Sequence, residues 1–157
     1  MNFNITRPSD VIMQDSASTK YLRIALAQAV PLAGNVIANM DTVCRLSEEA
    51  SGMRAKLINF PEKFLTGYES ELFKRAGDAA LIKPDDATVR SISNLSKTLG
   101  LTIIVGAPTL IDEIRRISSL IAMPDGSIDF YHKQHLFRSE KEWFTAGCRY
   151  TNYELIR

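Results

Sequence analysis

Two short segments far apart in the chain each end a strand-like run on a charged residue. Phe60–Tyr68, FPEKFLTGY, offers the carboxylate of Glu62, and Phe130–Phe137, FYHKQHLF, offers the ammonium of Lys133 between two histidines. A glutamate at a strand end can take a proton from a nucleophile, and a lysine beside it can hold the negative oxygen that develops when that nucleophile attacks a carbonyl. Nearby carboxylates keep such a lysine cationic, while the glutamate needs partial burial or a second acid to act as a base near neutral pH. Glu140 and Glu142 follow Lys133 closely enough to be that second acid, and spacing does not choose between them.

The elements that must position these groups read as strands alternating with helices. Leu22–Ala29 is a short apolar run bounded by PLAGN, which predicts a buried strand. Asn35 or Asn39 then caps a helix running to about Met53, with Val36, Met40, Val43, Cys44 and Ala50 near one face. Lys56–Phe60 predicts a second strand, stopped by Pro61, which has no N–H for a ladder. Strand, helix, strand at this spacing is a βαβ crossover. Glu62 falls just past its carboxyl end, where open α/β sheets place their chemistry.

Glu69–Ala76 predicts a short helix, and Asp85 or Asp86 opens another that Gly100 stops after Leu99. Leu101–Ala107 predicts a third strand. Arg115–Met123 and Ser127–Lys133 predict two more, joined by a Pro124-Asp125-Gly126 turn. Alternation in the last of them puts Asp129, Tyr131 and Lys133 on one face and Ile128, Phe130 and His132 on the other. Met1–Lys20 is polar and aperiodic and reads as a mobile tail, which leaves residues 21–157 as one domain. Thr151–Arg157 begins a further strand-like alternation.

Composition excludes several function classes. A length of 157 residues fits one domain with a real core, and 45% hydrophobic and 24% charged residues are ordinary for a soluble globular chain. Nineteen basic against eighteen acidic residues, a formal charge of +1, give no field directed at nucleic acid or anionic lipid. No apolar run approaches the ~20 residues of a membrane helix, and the first residues do not resemble a secretory signal. Cys44 and Cys148 form no CxxC pair and no disulfide framework, which points to a reducing cytoplasm. Cys44 reads as a small core residue. His132 and His135 lack a third ligand at metal-binding spacing, and Gly100, Gly106 and Gly126 compose no phosphate loop, so no metal or cofactor is expected.

Taken together, RIALAQA near the start, FPEKFLTGY in the middle, and YHKQHLF followed by Glu140 and WFTAG resemble the amino-terminal part of the nitrilase superfamily of carbon-nitrogen hydrolases. The resemblance runs from about Leu22 to Gly147, with the three blocks in the family's order. It implies an α/β fold, an incomplete four-layer αββα sandwich. It also implies roles: Glu62 as general base, Lys133 as oxyanion stabiliser, Glu140 as the additional glutamate that positions the substrate, and Tyr68 at the pocket wall. In a complete relative, Glu62 would deprotonate a cysteine, the thiolate would attack an amide or nitrile carbon, and Lys133 would stabilise the resulting anion.

The family's nucleophile is a cysteine followed by an acidic residue on a later strand, and this sequence has no such segment. Cys148 sits in the preceding loop and is followed by Arg149. The expectation is therefore a chain truncated before its nucleophile and inactive alone. It would either be completed by a carboxyl-terminal chain, and then act on a small amide or nitrile, or persist as a non-catalytic interaction module or decaying gene product. An uncovered sheet face would favour self-association.

Overall fold

The computed structural model describes residues 21–68 and 70–148. The tail assigned to Met1–Lys20 and the strand-like alternation of Thr151–Arg157 lie outside them. Five strands form one sheet in the order β1-β2-β3-β4-β5, comprising β1 (Ile24–Leu26), β2 (Leu57–Asn59), β3 (Thr102–Ile111), β4 (Ile114–Ala122) and β5 (Ile128–His132). β1, β2 and β3 run parallel, whereas β4 and β5 are antiparallel to their neighbours. The parallel pairs are separated by helices α1 (Val36–Gly52) and α3 (Ala87–Leu99), as the crossover reading expects, and a short helix α2 (Ser70–Ala76) precedes α3.

α1 and α3 lie on one face of the sheet. Val43 and Ala50 of α1 and Val89 and Ile92 of α3 share a buried cluster with Ile58, Ile103, Val105, Ala107, Leu120 and Ala122. The strand registers place those six residues on a single face, since Ile58 opposes Ile103, Ile103 opposes Ala122, and Val105 opposes Leu120. The helix caps are those the sequence offers: the Asn35 carboxamide accepts from the Ala38 N–H at 3.1 Å, and Asp86 precedes α3.

β3 is longer than the strand expected over Leu101–Ala107, because Pro108 does not interrupt it. Pro108 points its carbonyl away from β4, where it accepts from the Ile82 N–H at 2.9 Å. Its missing N–H would have faced the same side, so the ladder with β4 loses no donor. The β3–β4 connection is a two-residue turn, Asp112-Glu113, with φ of 51° and 60°. That geometry matches the strand twist but carries no glycine to announce it.

One buried side chain ties the sheet's carboxyl-end loops to α1. Asn39, 2% exposed, accepts from the Leu32 N–H at 2.7 Å and donates from Nδ2 to the carbonyls of Leu32 and Leu65, at 2.9 and 3.0 Å. Leu65 lies in the loop that carries Glu62. Asn39→Ala leaves these backbone groups without partners and is expected to cost about 3 kcal/mol. Urea unfolding measures this, and a loss below about 1 kcal/mol would mean that water replaces the carboxamide.

Candidate active site

Glu62 stands on a tight turn after β2 whose shape the apolar pattern FPEKFL imposes. Phe60, Phe64 and Leu65 are buried, with the two phenyl rings 5.2 Å apart, and Lys63 is buried between them, so that Glu62 is the exposed charge of the turn. The turn is closed by the Thr66 and Gly67 N–H groups donating to the Lys63 carbonyl, at 3.2 and 2.8 Å, with Lys63 at a φ of 53°. Gly106 of β3 lies directly beneath. A Cβ at that position would come within 2.6 Å of the Glu62 Cα, the Lys63 nitrogen and the Pro61 oxygen. The bare strand thus lets the turn pass over β3, which carries Glu62 from β2 toward the far strands.

Lys133 follows β5 and is anchored through its backbone. Its N–H donates to the Ile117 carbonyl at 2.8 Å, and its carbonyl accepts from the Gly147 N–H at 2.9 Å. Gly147 serves by close approach as well, since a Cβ there would lie 2.5 Å from the His132 oxygen. β2 and β5 are separated by two strands, a gap of roughly 14 Å at ordinary strand spacing. The displaced turn and the long lysine close it, and Lys133 Nζ reaches Glu62 Oε1 at 2.8 Å.

Glu140 completes the contact from a 3-10 turn, Arg138–Glu142. Its Oε2 meets Lys133 Nζ at 2.9 Å and accepts from the Phe137 N–H at 2.8 Å, while its Oε1 meets Lys63 Nζ at 2.9 Å. The result is a chain of alternating charge, Glu62, Lys133, Glu140, Lys63. Of the two acids open at this position, the structure brings Glu140 to Lys133 and leaves Glu142 exposed.

Burial raises the cost of charge here, and the ion pairs outweigh it. Desolvation alone would lift Glu140, but hydrogen bonds from Lys133, Lys63 and the Phe137 N–H bring its pKa down from 4.5 to about 2. Desolvation would likewise lower Lys133, yet hydrogen bonds to Glu62 and Glu140 raise it above its ordinary value. Lys133 is therefore a cation that can donate to a developing oxyanion, and Glu62, about 40% exposed at its side chain, can receive a proton from a group entering the cleft.

The cleft in front of these groups has a volume of about 410 Å³, and its lining includes Phe60, Glu62, Ser119, Tyr131, Lys133 and His135. Tyr131 and Lys133 share it, as alternation requires. His132 turns to the opposite face, where its Nδ1 lies 2.8 Å from the Ser118 hydroxyl. A larger hollow of about 480 Å³ between β1 and α1 contains none of the four site charges. The Tyr68 ring lies 5.8 Å from Lys63 Nζ, and burial and then the Glu62 charge raise its pKa while Lys133 opposes them. Neither cysteine lines the cleft: Cys44 sits on α1, its thiol pushed up by burial and by Glu48 and Asp41, and Cys148 is exposed.

Lys63 and Gly106 were not among the expected site residues. Lys63 directly follows Glu62, and strand alternation would send it to the other side; only the tight turn brings both toward Lys133 and Glu140. Gly106 stands inside an apolar run, and an isolated glycine in a strand is the one signal of a close backbone approach.

The sequence profile described as Carbon-nitrogen hydrolase matches residues 23–152. A nitrilase of Pyrococcus abyssi is 29% identical over 126 residues, which are 80% of this chain and 48% of that protein. An arylacetonitrilase of Aspergillus niger is 34% identical over 99 residues, 58% of this chain and 29% of that one. Among solved structures, XC1258 of Xanthomonas campestris, a CN-hydrolase superfamily protein with an arsenic adduct in its active site, superposes with a TM-score of 0.72. It shares 28% identity over 82% of this chain and 47% of its own. The NitN amidase of Nesterenkonia sp. AN1 also gives 0.72, at 25% identity over 82% of this chain and 51% of its own. The chain spans about half the length, or less, of these relatives. With the profile covering most of the residues and the fold matching, the chain belongs to the carbon-nitrogen hydrolase family.

Proposed function

We propose that this chain carries the base, oxyanion and positioning groups of a hydrolase that cleaves a non-peptide amide or a nitrile through a cysteine thioester. The observation that carries the reading is the contact of Lys133 Nζ with both Glu62 and Glu140 at the edge of one cleft. Glu62 takes the proton of a thiol, the thiolate attacks the carbon of the substrate, and the Lys133 ammonium holds the negative atom that forms. For an amide, collapse of the tetrahedral anion expels ammonia or an amine. For a nitrile, the thioimidate first takes up water and then loses ammonia. In either case water attacks the thioester, releasing the acid and restoring the thiol. An aliphatic or aryl amide fits this chemistry as well as a nitrile, and the similar amidase and nitrilases support both.

Neither cysteine of this chain lines the cleft that holds Glu62 and Lys133. Cys44 is on α1 behind the sheet, and Cys148 is not in the cleft. Within about 3 Å of the base is where an attacking thiol must stand. The purified chain is accordingly expected to release no ammonia from a panel of small amides and nitriles, with Cys148→Ala indistinguishable from the unmodified chain. Turnover that vanishes in Cys148→Ala would overturn this placement and make Cys148 the nucleophile.

A further inference from the structure

We propose that Lys63 is a positioning residue of this site, fixing one oxygen of Glu140 so that the other stays on Lys133, and balancing the cluster's charge before any anion forms. The inference deepens the proposed function, since it rests on Lys133 being the group that meets the oxyanion.

Three observations carry it. Lys63 is only 7% exposed, an unusual place for a lysine unless it is paired. Its ammonium lies 2.9 Å from Glu140 Oε1, while Glu140 Oε2 is held by Lys133 Nζ and the Phe137 N–H at 2.9 and 2.8 Å. Both carboxylate oxygens are thus assigned, and Glu140 cannot rotate without breaking a contact at each end. The backbone commits Lys63 as well, through the φ of 53° that closes the turn carrying Glu62.

Charge gives the device its purpose. Glu62, Glu140 and Lys133 together carry one net negative charge, which opposes a further anion at Lys133. Lys63 brings the cluster to neutrality from the side away from Lys133, by sharing Glu140. Part of the Lys133 field is then left for an oxyanion, which a carboxylate paired to Lys133 alone would have consumed. The groups that face Glu140 are Lys63 from the turn after β2 and Lys133 from the end of β5. Glu62 lies beyond Lys133 and Tyr68 beyond Lys63, and Arg138, Lys141 and Glu142 on Glu140's own turn are exposed.

The test is a carboxyl NMR titration of the 157-residue chain, which reads Glu140 directly and needs no turnover. In Lys63→Met, the Glu140 midpoint is expected to rise by about one pH unit or more, with the Phe137 amide resonance shifting in step. In Lys63→Arg, which keeps a cation, the midpoint returns toward its original position. An unchanged Glu140 midpoint in a folded Lys63→Met chain overturns the proposal. If methionine prevents folding, Lys63→Gln is read in the same way. The ammonia assay bears on the hydrolase reading and this titration on Lys63, so each can fail without the other.

Discussion

Glu140→Gln is expected to destabilise the chain by about 3–5 kcal/mol at neutral pH, the cost of breaking a buried ion pair from one side. Glu140 and Lys63 are 8% and 7% exposed, and the substitution leaves the Lys63 ammonium with no carboxylate in buried surroundings, while Lys133 keeps Glu62. Urea unfolding of the two chains measures the difference. A loss below about 1 kcal/mol, the range of exposed pairs, would mean that the Lys63 ammonium reaches water.

Acid should reproduce the same loss by protonation. The folded-state pKa of Glu140 is depressed, from 4.5 to about 2, so its contribution is fully present above 4.5 and is lost as pH falls toward 2. The amount is on the order of 3 kcal/mol. In Glu140→Gln this acid-sensitive component disappears, and stability should fall less steeply over that interval. Parallel pH profiles for the two chains would show that another group governs the acid transition.

Gly106→Ala is the other large effect, expected at about 3 kcal/mol or more, at the upper end of overpacking costs. The added methyl meets three backbone atoms at 2.6 Å, and none can move aside as a side-chain tip could. Relief requires lifting the turn from β3, which strains the Leu65 N–H bond to the Gly106 carbonyl at 3.1 Å and withdraws Glu62 from Lys133. The measurements are urea unfolding together with the Glu62 and Lys133 side-chain resonances. Alanine tolerated with both resonances unmoved would show that the turn does not need the bare strand. In an assembly competent for turnover, a displacement of about 1 Å at Glu62 corresponds to a loss of roughly 100-fold in rate.

Local rules made much of the fold legible. α1 and α3 begin and end where Asn35, Asp86 and Gly100 place their boundaries, because capping depends on residues within one turn. β4 and β5 lie around the expected turn for the same reason. β3 ran past its expected end because the cost of proline depends on which side of the strand faces a partner, and Ile82, distant in sequence, supplied that side. The burial of Asn39 and Ser47 on α1 was hidden behind an apolar periodicity that points to the stripe but not to polar residues within it.

The amino-acid sequence by itself determined the alternation of strands and helices, the placing of Glu62 and Lys133 at strand ends, and the family resemblance that singled out Glu140. Those depend on residue type, short spacing and the order of motifs. Only the tertiary structure decided that Glu140 rather than Glu142 meets Lys133, that Lys63 is a fourth member, and that the Tyr68 ring stands beside the Lys63 ammonium. The physical reason is distance through space. A side chain reaches only a few ångströms, and whether two charges meet across two intervening strands is set by how closely the turn after β2 can cross the bare backbone of Gly106.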